Sequence, residues 1–288
     1  ENQTIIHIFN YNYIVDGKKF IEEPINVYAD QLTHEITFIT APKNNLKNIN
    51  QVLIDCDLEI ERLISRTFTL GVELLDYRDL EFGSAVIDLG YEKISFGLFK
   101  DLALVHSSTF PIGVNHIVKD ISKVCSLNLD ESKNIQNDFD FSFQDNKKLF
   151  DEKENLKKSY FINSSYRKIS KNLIFNVIRS RLDEIFKILK KQLIISELSS
   201  NSGTKLLLAG GGSNLNNLEK SFISFFGLNV KTVSNFFAKD KEFEEKFFSC
   251  LGALKIIKEG WETEAIPEEN SRNIEKASFF AKIFRIRK

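Results

Sequence analysis

The chain has 288 residues, room for two compact domains or one elaborate one, and its 42% hydrophobic and 27% charged residues are the balance of an ordinary globular protein. A formal net charge of −1 supplies no global field to attract nucleic acid, and no apolar stretch approaches the roughly 20 residues that span a bilayer. Cys56, Cys125 and Cys250 are far apart and His7, His34, His106 and His116 sit in separate segments, which argues for a reducing compartment and against a zinc site.

The first residue is not Met and the chain opens in an apolar run, so we read it as a fragment or an N-terminally truncated form. Residues 4–15, rich in Ile, Tyr and Phe, predict a strand closed by Asp16 and Gly17. A second strand is predicted over Glu35 to Pro42, then a helix with Leu46, Ile49, Val52 and Leu53 on one face. "EIERLIS", Glu59 to Ser65, reads as a third strand and "RTFTLGVELL" as a helix. Three strands follow in a meander, 84–89, 93–99 and 102–110, turned at Gly90 and at Lys100–Asp101. "VNHIVKDISKVCS" predicts an amphipathic helix with Ile117, Val118, Ile121 and Val124 on its apolar face.

Residues 128–165 are polar and charged, so helices there are expected to be solvated and part of the stretch to be a mobile loop. A long helix follows, with Ile169, Leu173, Val177, Leu182, Ile185, Phe186 and Leu189 as its stripe. The basic residues Arg167, Lys168, Lys171, Arg179 and Arg181 suit a solvated face and are assigned no ligand. "TKLLLAGGGSNLNNLEKSFISFFGLNV" reads as buried strand, glycine turn, helix capped by Ser213 or Asn214, and a short strand at Val230. A last amphipathic helix runs from Glu244 to Glu259, a polar linker covers 260–275, and "ASFFAKIFRIRK" ends the chain.

Three features carry possible chemistry. Gly210, Gly211 and Gly212 follow the central-strand run Leu206 to Leu208, and bare backbone at such a strand end admits an anionic ligand; the alternative is a tight turn with no ligand. Asp88 and Gly90 end the strand "SAVIDLG", where the acid would hold Mg²⁺ through water and the turn would face phosphates. Tyr91, Glu92 and Lys93 occupy that bend, however, and an ordinary hairpin explains them as well. In the tail, Phe279, Phe280, Ile283, Phe284 and Ile286 share one broad helical face, with Lys282, Arg285 and Lys288 mainly opposite. That composition fits a helix lying on an anionic membrane surface, and the polar linker before it argues against docking on the protein's own core.

Taken together, these segments resemble the FtsA family of bacterial cell-division proteins, actin-like and ATP-binding. "TIIHIFNYNYIVDGKKFIEEP" is similar to its SHS2-type insertion module, entered partway. "SAVIDLGYEKISFGLFKDLALVHSSTFPIGVNHIVKDIS" is similar to its second phosphate strand pair and the helix after it, and "LLLAGGGSNLNNLEKSFISFFGLNV" to its adenosine-side glycine turn. The tail looks like the family's membrane-targeting helix. The resemblance covers nearly the whole chain.

The resemblance implies an α/β fold: an actin-like, ribonuclease-H-like second lobe at 82–258 with an outer subdomain near 129–203, and part of an SHS2-type α+β module at 1–65. It further implies a linking helix of the first lobe at 66–81, a linker at 259–275 and an amphipathic membrane helix at 276–288, with most of the first lobe absent. ATP and Mg²⁺ are the implied cofactors: Gly210, Gly211, Gly212 and Ser213 against adenosine and the nearest phosphate, Asp88 and Gly90 toward Mg²⁺ and the outer phosphates. The implied partners are the C-terminal peptide of FtsZ on the outer subdomain, further copies in actin-like filaments, and the cytoplasmic face of the inner membrane, with peripheral attachment through Phe279, Phe280, Lys282, Ile283, Phe284, Arg285 and Ile286. The implied role is a septum-forming scaffold.

One departure bears on activity. The family's run of glycines and threonines after the phosphate-turn acid is missing, which removes hydroxyl donors and adds Cβ atoms where backbone must approach phosphate. Weak or vestigial ATP binding with little or no hydrolysis follows, and no catalytic residue is assigned. Two other readings share the fold. One is an actin-like pilus-assembly platform protein; the other, a sugar-kinase-like phosphotransferase, needs an intact phosphate turn.

Overall fold

The computed structural model describes residues 2–20, 24–101, 103–142, 154–195, 204–227, 229–233 and 242–259. Its described residues fall into two units, one from Glu1–Ser84, Gly97–Ser107 and the stretch beginning at Phe243, the other from Ala85–Phe96 and Ser108–Glu242.

In the first unit, β1 (Gln3–Val15), β2 (Lys18–Phe20) and β3 (Leu32–Pro42) form an antiparallel sheet of order β2-β1-β3. Directly opposed residues share a face. His7 opposite Ile39 and Phe9 opposite Thr37 make the inner face, with His7 and Phe9 both buried. The opposite face keeps Ile36 and Phe38 exposed. Phe68 of α2 (Arg66–Leu74) packs on the inner face, its ring 4.8 Å from Phe9 and 5.6 Å from His7. The predicted helix after β3 is present as α1 (Lys43–Ile54), but it buries none of its residues.

The strand expected over Glu59 to Ser65 does not form. Its apolar residues, Ile60, Leu63 and Ile64, do not keep the two-residue alternation of a half-buried strand. Here Ser65 instead leads into α2, its amide donating to His7 Nε2 at 2.8 Å. A short α3 (Tyr77–Phe82), not predicted, is nucleated by a reciprocal cap between Asp76 and Asp79. α8 (Glu242–Glu259) packs Gly252 against the Thr69 backbone, and Lys255 donates to the Val72 carbonyl at 3.2 Å.

A five-stranded sheet has the order β6-β5-β4-β7-β8, from β4 (Ser84–Leu89), β5 (Ile94–Lys100), β6 (Ala103–Phe110), β7 (Lys205–Ala209) and β8 (Asn229–Thr232). The meander β4–β6 and the strand at Val230 match the sequence expectation. Every residue of β4 and β7 is buried, as continuous apolar strands covered on both sides must be. β7 and β8 run parallel, Leu206 opposite Val230.

The helices of the second unit are α4 (Val114–Cys125), α5 (Leu129–Asp138), α6 (Lys171–Ile195) and α7 (Leu218–Phe226). α4 buries Ile117, Val118 and Ile121, but Val124 is exposed. On α6 the inner stripe begins at Ile174 and Ile178, one residue beyond the expected Leu173 and Val177, and continues through Leu182, Ile185, Phe186 and Leu189. Arg181, expected on a solvated face, instead ties α6 to α4, whereas Arg167, ahead of α6, is exposed and anchors its segment to the end of α4. Arg181 grips Asp120 of α4 in a two-pronged pair at 2.6 and 2.9 Å, and Arg167 donates to the Ser126 carbonyl just past α4 at 2.6 Å. α5 is not the solvated helix expected, since it buries Glu131, Ser132, Ile135 and Gln136. Residues 143–153 of the expected loop lie outside the described residues.

Candidate nucleotide site

The order β4-β7 makes two strand ends neighbours. β4 delivers Asp88, Leu89 and Gly90; β7 delivers Gly210 to Ser213. Gly210 has φ +82°, and a methyl group there would run into Asp88 Oδ1 and lie 2.8 Å from the Leu89 carbonyl oxygen. Both the backbone angle and the space therefore require glycine. A methyl group at Gly212 would be crowded as closely, 2.8 Å from the same carbonyl and 2.5 Å from Val114 Cγ1. Gly211 differs: it is exposed, and a side chain there would touch nothing within 4 Å. Two glycines thus seat the turn and the third presents bare backbone outward. Asp88 itself is buried at 6% exposure.

Ser213 is buried, and both its amide and its hydroxyl are committed to the Gly210 carbonyl, at 3.0 and 2.7 Å. It closes the turn. The helix expected directly after the glycines is displaced. Gly211–Asn214 form a 3-10 turn, Leu215 is extended, and α7 starts only at Leu218, behind the left-handed Asn217. Neither Ser213 nor Asn214 caps it, so no helix N-terminus follows directly on the glycine turn.

The bend after Asp88 is closed on itself, with the Gly90 amide donating to the Lys93 carbonyl at 3.0 Å. It also leans on α4. The first two helix amides, Val114 and Asn115, donate to the carbonyls of Gly90 and Tyr91 at 3.1 and 2.9 Å. A side chain at Gly113 would collide with both carbonyls. Gln136 of α5 supports the junction from below, donating to the Val114 carbonyl at 2.8 Å. Glu92 projects from the bend and accepts from Asn115 Nδ2 at 2.7 Å and Lys119 Nζ at 3.1 Å. Those two hydrogen bonds, Asn115 first, hold its carboxyl below the usual range against the opposing effect of desolvation.

Asp88, Gly90, Gly210, Gly211, Gly212 and Ser213 are therefore brought together at adjacent strand ends. Gly113, Asn115 and Lys119 were not singled out from sequence. The signal that could have found them is the glycine immediately before a helix in "FPIGVNH", a spacing that permits close backbone approach. Phe279, Phe280, Lys282, Ile283, Phe284, Arg285 and Ile286 lie outside the described residues. Among the described residues no helix is long and apolar enough to cross a membrane, and no group of three or more His, Cys, Asp or Glu could hold a metal ion.

A nucleotide fits these residues unevenly. On the β7 side Gly211 leaves room for a ligand against backbone, whereas on the β4 side the amides at the start of α4 are already taken by the turn's own carbonyls. Mg²⁺ would rest on Asp88 through water, without a preformed cluster of ligands.

Comparison with solved structures supports the fold. The chain superposes on a chain of the PilM–PilN type IV pilus biogenesis complex with a TM-score of 0.59 at 15% identity, over 86% of this chain and 66% of that one. It superposes on MreB5 of Spiroplasma citri, solved with AMPPNP, with a TM-score of 0.54 at 16% identity, over 75% of this chain and 64% of that one. The fold is thus that of the actin-like proteins, as expected.

Among curated relatives, the cell division protein FtsA of Agrobacterium fabrum is 22% identical over 80% of this chain and 52% of its own length. FtsA of Buchnera aphidicola is 23% identical over 89% of this chain and 63% of its own length. The chain spans about half to two thirds of the length of these two relatives. Residues 1–40 match the SHS2 domain inserted in FtsA. Residues 85–252, more than half of the chain, match the family of the cell division protein FtsA, and the chain belongs to that family.

Proposed function

We propose that this actin-like cell-division protein links a ring of the tubulin-like FtsZ to the inner membrane and binds adenine nucleotide weakly, without efficient hydrolysis. The observation that carries the nucleotide part is the seating of Gly210 against Asp88, which sets two glycine-bearing turns side by side at strand ends. A nucleotide there would lie along the open backbone of Gly211, with Mg²⁺ near Asp88 supplying charge neutralisation for the phosphates. Ser213 and Gly212 would keep the turn in shape. The bend at 90–93 would offer little to the outer phosphates, because the donors that commonly face phosphate at a helix start are satisfied by Gly90 and Tyr91.

Anchoring is assigned to residues 276–288, lying flat on anionic lipid at the cytoplasmic face. The FtsZ peptide is assigned to the outer subdomain, where Leu129, Ile162 and Tyr166 offer exposed apolar surface. Self-association into actin-like filaments completes the reading. The pilus-assembly alternative rests on likeness of fold at 15% identity, and fold alone does not carry function.

Two measurements on the 288-residue chain test the proposal. In flotation with phosphatidylglycerol vesicles, the chain should rise with the lipid and a form lacking residues 276–288 should not; equal flotation of both ends the anchoring reading. In pull-down with the FtsZ C-terminal peptide, retention of the chain is expected, and its passage through the column while folded by circular dichroism ends the FtsZ reading.

A further inference from the structure

The bend that follows Asp88 carries an acidic side chain that is held in place. Glu92 lies four residues beyond Asp88, in the turn where a nucleotide's outer phosphates would arrive, and its carboxylate is fixed by Asn115 and Lys119 of α4. Lys119 faces that carboxylate, with Nζ at 3.1 and 3.2 Å from its two oxygens. Two of the helix-start amides are already spent, since Val114 and Asn115 donate to the carbonyls of Gly90 and Tyr91. Each phosphate added to a nucleotide brings further negative charge toward this carboxylate, while the β7 side of the site, with Gly211 open, is indifferent to phosphate number.

We infer that Glu92 makes this site select nucleoside diphosphates over triphosphates, and that Lys119 sets the strength of the selection. The inference rests on the nucleotide reading above and deepens it. The protein would hold ADP in its resting state, and a γ-phosphate would meet like charge at the turn instead of donors. Removing the Glu92 charge should relax the selection. Removing the Lys119 charge, which partly neutralises Glu92, should sharpen it. Opposite signs from two neighbouring, half-exposed side chains are the mark of electrostatics; a merely structural role would move both variants the same way.

The test is equilibrium binding of fluorescent ADP and ATP, with Mg²⁺, to the 288-residue chain and to its Glu92→Gln and Lys119→Ala variants, each checked for folding by circular dichroism. Gln at 92 keeps an acceptor for Asn115. The native chain should bind ADP about tenfold more tightly than ATP, the size expected of one partly screened charge. Glu92→Gln should bring that ratio near one by strengthening ATP, and Lys119→Ala should raise it. Nucleotide bound with the same ratio by all three proteins, or a native preference for ATP, overturns the role of Glu92 and leaves the nucleotide site standing. Neither nucleotide binding to any of the three folded proteins overturns the nucleotide site and this inference with it.

Discussion

Gly210 and Gly211 are chemically identical and adjacent, yet the fold uses them in opposite ways. Gly210 combines a left-handed backbone with contacts to Asp88 and Leu89, so Gly210→Ala should cost about 2–4 kcal/mol in urea unfolding. Gly211→Ala, in open space, should change stability by less than about 0.5 kcal/mol while weakening nucleotide, because the methyl group would occupy the ligand's side of the turn. His7 gives a second prediction for a single residue. Burial among Phe9 and Phe68 lowers its pKa from 6.5 to about 4. Between those values the unfolded chain takes up a proton that the folded one refuses, so the stability His7 contributes is complete above pH 6.5 and falls away as pH drops toward 4. The loss amounts to roughly 3 kcal/mol by linkage. A His7→Gln variant, which retains an acceptor for the Ser65 amide but does not titrate, should show no such fall when urea midpoints are compared across that range.

The elements show where polar groups do what apolar packing does elsewhere. α5 buries Glu131 completely, and its carboxylate takes the amide of Asn163 at 3.0 Å and the hydroxyl of Ser164 at 2.9 Å while closing a cap with Asn128. Burial raises its pKa, but these hydrogen bonds outweigh burial and hold the carboxyl below its usual range. Its contribution is therefore present above the ordinary carboxyl range and lost as pH falls through the depressed value. A Glu131→Gln substitution should release the 162–164 segment, seen as several-fold faster hydrogen exchange at the Asn163 amide. The helix stripe read for α4 succeeded at Ile117, Val118 and Ile121 and failed at Val124, and on α6 it slipped by one residue at Leu173 and Val177. Periodicity defines a face about 100° wide; which edge of it is covered depends on what packs there. α5 failed outright as a solvated helix, because hydropathy does not distinguish an exposed Glu from one satisfied by a loop some thirty residues away.

For the molecule as a whole, nucleotide that binds only the folded state must stabilise it. At a hundredfold excess over its dissociation constant, ADP should add about 2.7 kcal/mol, seen as a rise of several degrees in thermal unfolding, with Gly211→Ala shifted less at the same concentration. The strands β4 and β7 were legible as short apolar runs ending in glycine turns, and the meander between 84 and 110 because its turns are short, but their order in the sheet followed only from the family resemblance. The small unpredicted strand β2 and the irregular course of 59–65 were not legible, since three residues carry too little pattern and a short apolar run does not by itself make a strand.

Local chemistry in the sequence was enough to mark the central strands and the glycine turns, because burial on both faces and left-handed backbone each leave a mark on residue choice; the family was legible only as a resemblance of whole segments. Tertiary structure alone decided that Asp88 sits under Gly210, that the first amides of α4 are taken by the carbonyls of Gly90 and Tyr91, and that Glu92 is pinned by Asn115 and Lys119. Those contacts join residues as much as 122 positions apart (Asp88 to Gly210), and such proximity is set by the packing of strands and helices rather than by any local preference of the chain.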